Sequence, residues 1–244
     1  MAPGEIDGPY SYVALGDSIS IDEYAGGPGR GSASLLARNQ DDDFPQWRGQ
    51  DLRALDRGLR YHLLAGDGGT SRTVLESQLP RLESSGRRPS VVTLTVGGND
   101  LLAVYGDTGQ ARQTVRSVAV RVGEILGRIR RLMRAPDDPV VVGTVYDPSD
   151  GSSDAGRVGL PPWTDVVDVL AELNAGLRAA ADGHGARIAE IHDQFLGHGL
   201  RAGNPGQSDP RPADRSLWYC RVIEPNAWGA DAVRASFWHA LHCR

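Results

Sequence analysis

Five short apolar runs, each closing on a turn and each separated from the next by a helix-patterned stretch, constrain the fold of this chain more than any other feature. Residues 12–15 stop at Gly16-Asp17-Ser18, residues 61–65 stop at the stretch from Gly66 to Gly69, and residues 91–96 stop at Gly97-Gly98-Asn99-Asp100. Residues 140–145 and 187–191 read as two more buried strands, because they are short, apolar and rich in β-branched side chains. Helical spacing fills the intervals over residues 71–84, 110–133 and 164–181. The second of these carries Val115, Val118, Val122, Ile125, Ile129 and Leu132 on one face. A last helix over residues 226–241 places Trp228, Val233, Phe237 and Leu241 on one side. Such alternation predicts a five-stranded parallel sheet covered on both faces, with the functional loops beyond the carboxyl ends of the strands. The segments at residues 146–162 and 199–216 are rich in Gly, Pro, Ser and Asp and are predicted to form rims or lids.

Composition narrows the classes of chemistry. A chain of 244 residues, 40% hydrophobic and 23% charged, suits one globular α/β domain spanning residues 1–244. The net charge of −5 and the scattered cations leave no surface suited to nucleic acid. Arg128, Arg130, Arg131 and Arg134 fall at a predicted helix end, where cations complement the dipole and are expected to be solvated. All 26 basic residues are arginine, which excludes a Schiff-base lysine, a phosphate-loop lysine and a Ser–Lys dyad. Residues 1–10 lack the apolar stretch of a secretory leader and no later run approaches a membrane span, so a cytoplasmic protein is expected. Cys220 and Cys243 are near enough in sequence to pair, but a reducing compartment favours two free thiols. No His, Cys and carboxylate cluster has metal-ligand spacing, so neither a metal nor another cofactor is expected.

Three strand-end loops carry residues suited to acyl transfer. Ser18 follows a strand at a tight turn that Gly16 permits, and its own N–H can donate to a nascent oxyanion. Gly68 allows close backbone approach and offers a second N–H, and Asn99 offers a side-chain amide. In this order and placement the blocks Tyr-Val-Ala-Leu-Gly-Asp-Ser-Ile-Ser, Ala-Gly-Asp-Gly-Gly-Thr-Ser and Thr-Val-Gly-Gly-Asn-Asp resemble the SGNH, or GDSL-like, hydrolase family over nearly the whole chain. The resemblance implies a flavodoxin-like three-layer α/β/α sandwich and Ser18 as nucleophile. It also implies an oxyanion hole from the Ser18 amide, the Gly68 amide and the Asn99 side chain, with Gly68 preferred over Gly69 because it falls two residues before Thr70. Asp17, Asp22 and Asp100 adjoin or follow these motifs and are candidates for contacting a small or medium polar substrate, an ester by this resemblance.

The last block departs from the family, which carries Asp-x-x-His ahead of the final helix. Here the chain reads Arg221-Val222-Ile223-Glu224-Pro225-Asn226, with Glu224 in the histidine position and Arg221 in the aspartate position. Four readings stay open. A displaced histidine is the first: His62, His184, His239 and His242 have ordinary packing or surface readings, whereas His192 and His198 lie on the correct edge of the sheet. A Phe-x-Gly-His-Gly segment before a Trp and Ile-Glu-Pro-Asn resembles a subset of the family and favours His198, oriented by Glu224. In the second, Glu224 itself is the base, since burial raises a carboxyl pKa toward neutrality. In the third, Asp17, Asp22, Glu23 and Glu224 form a carboxylate set for glycosidic or epoxide opening. In the fourth, the site binds a ligand without turnover. Tyr24 and Trp163 are further loop aromatics that could meet a substrate or simply cover apolar surface.

Overall fold

The computed structural model describes residues 10–242. Its central sheet has five parallel strands in the order β2-β1-β3-β4-β5, formed by β1 (Ser11–Gly16), β2 (Arg60–Leu63), β3 (Val91–Thr95), β4 (Val140–Gly143) and β5 (Arg187–Ala189). All five predicted strands are present, each within a few residues of its expected bounds.

The period of two in these strands sorts side chains between two cores. Val13, Leu15, Val92, Leu94, Val140 and Val142 face one layer, built mainly from α6 (Thr108–Leu132) and α7 (Val166–Gly183). Tyr12, Ala14, Val91 and Val141 face the other, where α1 (Ser32–Ala37), α8 (Ile191–Phe195) and the final helix α9 (Ala227–His242) pack. This is the α/β/α arrangement expected. Short helices α2 (Leu52–Leu55) and α5 (Gly98–Leu102), and a two-stranded antiparallel hairpin of β6 (Tyr219–Cys220) and β7 (Glu224–Pro225), add to the predicted elements.

The helix expected over residues 71–84 is interrupted. Between α3 (Ser71–Thr73) and α4 (Leu79–Ser84), residues Val74–Gln78 form a π-helical turn. Pro80 has no N–H with which to continue the regular ladder, which favours such a widening. The turn aims Gln78 inward, where its Oε1 accepts from the Gly16 N–H at 2.8 Å and its Nε2 donates to the Gly16 carbonyl at 2.7 Å. Gly16 itself has φ +124°, and a Cβ there would sit 1.9 Å from the Thr95 carbonyl oxygen, so only glycine fits at this strand end. A second amide does the same for β4: Asn174 on α7 accepts from the Val145 N–H at 2.7 Å and donates to its carbonyl at 2.8 Å. Both clamps sit at the carboxyl edge of the sheet.

The arginines at the end of α6 are more engaged than the expectation of a solvated helix end allows. Arg128 pairs with Glu83 at 2.6 Å, Arg130 donates to the carbonyls of His184, Gly185 and Asp138, and Arg134 lies 3.6 Å from Asp138. They tie the two helices of one layer to the neighbouring turns. No helix among the described residues is long and apolar enough to cross a membrane. Cys220 is buried and pairs with no other cysteine among the described residues. Its pairing with Cys243, like the reading of residues 1–9 as lacking a leader, lies outside the described residues.

Candidate active site

The first loop follows directly from the clamped end of β1. Asp17 caps a single 3-10 turn, Ser18–Ser20, its Oδ1 accepting from the Ile19 N–H at 3.2 Å. Ser20 and Thr95 join through their hydroxyls at 2.9 Å, and Ser32 on α1 donates to the Ile19 carbonyl at 2.7 Å. The backbone around Ser18 is therefore held from two neighbouring elements. Ser18 is only 6% exposed but lines a cavity. Its N–H, as the first of the turn, donates to no backbone carbonyl among the described residues, and the same is true of Gly68.

The second and third loops are drawn onto the first. The Gly66 N–H donates to the Gly16 carbonyl at 3.2 Å, and Asn99, in the first turn of α5, donates through Nδ2 to the Gly69 carbonyl at 3.0 Å. Asn99 keeps a second N–H free and lines the same cavity as Ser18. The close backbone approach expected at Gly68 occurs instead at Gly69, where a Cβ would fall 2.4 Å from the Gly16 carbonyl oxygen. Gly68 has open space around it and needs to be glycine for another reason, its φ of +65°.

Glu224 enters from the hairpin. Pairing of Cys220 with Glu224 and of Tyr219 with Pro225 fixes its position, and Asn226 secures the base of the hairpin by donating to the carbonyls of Leu217 and Tyr219. The Glu224 carboxyl lies beside the Ser18 hydroxyl. Burial pushes its pKa up, the nearby Ser18 hydroxyl acts against that, the Asp67 carboxylate raises it further, and the Arg221 guanidinium lowers it ahead of a smaller rise from Glu23. The pair does not have the aligned geometry of a completed hydrogen bond, and Oε2 is buried without a partner. Asp17 is 1% exposed, and burial, reinforced by the charge of Glu224, raises its carboxyl to about 7 against the opposing hydrogen bonds of Thr95 and Ile19. Two carboxyl groups of raised pKa thus flank the serine.

Arg221, in the position where the family carries aspartate, takes φ +58° in the hairpin turn and lies over the Tyr24 ring at 5.2 Å. His198 makes no contact with Ser18 or Glu224 in the hydrogen-bond network. Its ring stacks on Trp218 with centroids 3.5 Å apart, and its Nδ1 is 2.7 Å from the Ser216 carbonyl. His192 pairs with Asp193 at 3.0 Å. Of the aspartates expected to meet substrate, only Asp17 borders the cavity. Asp22 accepts from the Gly29 and Gly31 amides at 2.8 Å each, and Asp100 accepts from the Ser71 amide at 2.8 Å and hydroxyl at 2.6 Å and pairs with Arg121. Both hold loops in place. Among the described residues no cluster of three or more His, Cys, Asp or Glu is disposed to hold a metal ion.

The cavity has a volume of about 80 Å³ and a largely apolar wall. Leu101 and Leu102 come from α5, Val145 and Tyr146 follow β4, Leu160 lies in the predicted lid, Leu170 is on α7, and Ile223 is in the hairpin turn. The Tyr146 hydroxyl donates to the Ile223 carbonyl at 2.6 Å, bridging lid and hairpin, and its ring stacks on Phe195 at 4.5 Å. Asp150 anchors the rest of the lid: its Oδ1 accepts from the Gly197 and Gly199 amides at 2.8 and 3.1 Å, and its Oδ2 from the Arg201 amide at 2.6 Å. None of these wall and anchor residues stood out in the sequence. The composition of residues 146–162 marked the lid, but not which of its side chains face inward.

The comparisons with known proteins agree with this geometry. The model of the GDSL-like lipase/acylhydrolase family matches residues 14–232. Among curated protein sequences, none matches the chain. Solved structures similar to it include LAE5, an alpha/beta hydrolase enzyme from the metagenome of Lake Arreo in Spain, at 20% identity and a TM-score of 0.61, covering 96% of this chain and 95% of that one. Also similar is an acetylxylan esterase from Geobacillus stearothermophilus, in a form with a catalytic aspartate replaced by alanine, at 13% identity and a TM-score of 0.65, with coverage of 96% and 95%. The same esterase with a catalytic histidine replaced gives 13% identity and a TM-score of 0.64, again over 96% and 95%. These likenesses carry the fold, and the match over most of the sequence carries the family. The chain therefore belongs to the GDSL-like lipase/acylhydrolase family of ester hydrolases.

Proposed function

We propose that this protein hydrolyses an ester of a small molecule through an acyl-enzyme on Ser18, with Glu224 in place of the usual histidine as the base. The observation that carries the reading is the Glu224 carboxyl beside the Ser18 hydroxyl, buried enough to hold its pKa above the ordinary carboxylate range. Ser18 Oγ attacks the carbonyl carbon as its proton passes to Glu224. The oxyanion is met by the amides of Ser18 and Gly68 and by Asn99 Nδ2. Glu224 then returns the proton to the leaving alcohol and next accepts one from the water that attacks the acyl-enzyme. The largely apolar wall beside Ser18 favours an apolar body for the acyl group.

A histidine mechanism through His198 is less supported, because that ring is committed to Trp218 and the Ser216 carbonyl. The test is covalent labelling by a fluorophosphonate together with hydrolysis of 4-nitrophenyl acetate. Both are expected in the wild type and absent in Ser18→Ala, with hydrolysis lost in Glu224→Gln and kept in His198→Ala. An unreactive Ser18 would identify a binding protein on the same fold.

A further inference from the structure

Glu224 is carried by a hairpin too small to hold itself. β6 and β7 share two residue pairs, Tyr219 with Pro225 and Cys220 with Glu224, and a two-stranded ribbon of that size is marginal by itself in water. Its turn, residues 221–223, runs out toward solvent, with Val222 40% exposed. A base that must meet the Ser18 hydroxyl closely therefore depends on what the hairpin is tied to. Asn226 ties its foot, and at the turn the Arg221 N–H donates to the Gln207 carbonyl at 2.6 Å. A further tie acts next to the carboxyl-bearing residue itself. The Tyr146 phenol donates at 2.6 Å to the carbonyl of Ile223, which belongs to the peptide leading into Glu224. On the other side Pro225 restricts Glu224 to extended backbone. With both sides held, only the side-chain torsions of Glu224 remain to place its carboxyl.

Tyr146 is itself fixed. It is 6% exposed, its ring stacks on Phe195 at 4.5 Å with the planes 6° apart, and Tyr219 of β6 meets it edge-on at 5.1 Å. It directly follows Val145, whose N–H and carbonyl are both bonded by Asn174. A line of contacts thus runs from α7 through the end of β4 and the phenol to the peptide before Glu224. The Gln78 clamp at Gly16 does the corresponding work for the serine loop, so nucleophile and base are each mounted from an amide-clamped strand end.

We propose that Tyr146 is a positioning residue for the Glu224 base, its hydroxyl holding the hairpin so that the carboxyl stays beside Ser18 and out of bulk water. The inference rests on the reading of Glu224 as the base. In this role the phenol acts through the Ile223 carbonyl and not on the substrate. A reacting group set slightly out of place loses rate steeply, so one bond behind the base bears on turnover more than on stability.

Tyr146→Phe removes the tie and keeps the ring, so the stack on Phe195 persists and the cavity keeps its wall. With 4-nitrophenyl acetate, kcat is expected to fall by about tenfold to a hundredfold while KM stays nearly unchanged. The acid limb of kcat/KM should move to lower pH, because a loosened hairpin admits water to Glu224 and relieves the burial that raises its carboxyl. The substitution alters no charge: Asp17, Glu23, Tyr24, Asp67, Cys220 and Arg221, the other titratable groups that bear on Glu224, all remain. A bond that served stability alone would lower the urea midpoint and leave kcat and the limb in place, which overturns the proposal. In the Glu224→Gln background the substitution should have little further effect on the residual rate, and the full loss repeated there overturns it as well. If Glu224→Gln hydrolyses like the wild type, or no ester is hydrolysed at all, the reading of Glu224 as the base falls by itself. Carboxyl-carbon NMR then decides the tie: the Glu224 signal, identified by its loss in Glu224→Gln, should titrate lower in Tyr146→Phe, and an unchanged titration overturns it.

Discussion

Replacing Asp17 by Asn should remove a pH-dependent weakness built into the site. Asp17 is 1% exposed, and its carboxyl titrates at about 7 in the folded protein against an ordinary 3.8. At about 1.4 kcal/mol for each tenfold change in proton affinity, that gap is worth on the order of 4 kcal/mol. The sign follows from which state holds the proton. Below about 3.8 both states are protonated and nothing is lost. As pH rises from there toward 7 the unfolded chain gives up its proton while the folded one keeps it, so stability falls, and above about 7 the full penalty is in force. Roughly half of the loss should appear between pH 5 and pH 7. Asparagine copies the neutral acid: its oxygen can still accept from the Ile19 N–H at the head of the 3-10 turn, and its amide can donate to Thr95. The faces that bear on Asp17 are those of Thr95, Ile19 and Glu224, and of these only Glu224 titrates. Urea unfolding of both proteins at intervals from pH 5 to pH 8 reads the effect. The variant should pull ahead as pH rises, by about 2 to 3 kcal/mol relative to pH 5. Parallel stability curves would refute the assignment of a raised carboxyl to Asp17, and with it the picture of a dry pocket around the serine.

Other consequences can be measured in the same protein. In the wild type, kcat/KM should rise with pH through a limb set by Glu224, which must be ionised to accept a proton; because burial raises that carboxyl, the limb lies above the ordinary carboxylate range. Glu224→Gln should lower turnover by about a hundredfold to ten-thousandfold and erase the limb, whereas a pH profile unchanged in that variant would return the role to a histidine. Asn99→Ala should lower kcat by roughly a hundredfold or more, with a change in stability of about 1 kcal/mol from the lost bond to Gly69, read by urea unfolding. Asp150→Ala strips the acceptor from three backbone amides and should cost on the order of 3 kcal/mol, with hydrogen exchange accelerated at Gly197, Gly199 and Arg201. Protection retained at those amides would show that the lid is held by something else.

Local pattern carried the sheet because it is a local property. Strands with both faces buried are short, apolar and β-branched, and in a parallel sheet each must be followed by a crossover, so order and placement follow together. The turn at Gly16 was legible for the same reason, since its backbone conformation admits only glycine, whereas the close approach expected at Gly68 falls one residue later, at Gly69. Other features depend on contacts between distant segments. The π turn at Val74–Gln78 exists to aim Gln78 at Gly16, and the wall of the cavity is assembled from α5, the lid, α7 and the hairpin, none of which announces its neighbours. The Gly-His-Gly segment at residues 197–199 is instructive. Its glycines suggested a histidine free to approach the site, yet Gly197 is there for its φ of +88°, and Gly199 because a Cβ would fall 2.4 Å from the Pro148 carbonyl oxygen. The motif records how the loop packs under Asp150, and the ring between the glycines ends on Trp218.

The paired loss of aspartate and histidine from the last block has one physical explanation if Glu224 takes the proton. An imidazole base needs a third group, because its tautomer must be fixed and the cation it becomes must be offset. A carboxylate has no tautomer to fix, and on accepting a proton it turns neutral, which suits a buried site better than a new charge would. The group that would have oriented a histidine then has no task, and residue 221 is released to be an arginine, turned by its left-handed backbone onto the Tyr24 ring. What a carboxylate base does need is a raised pKa, and that comes from burial in the hairpin and from the negative neighbours Asp67 and Glu23, which outweigh the lowering effect of the Arg221 charge. Substituting one base for the other therefore shifts the burden from an orienting partner to the surroundings of the pocket. That accounts for why the departure at Glu224 comes together with a departure at Arg221 and a serine loop that is otherwise intact.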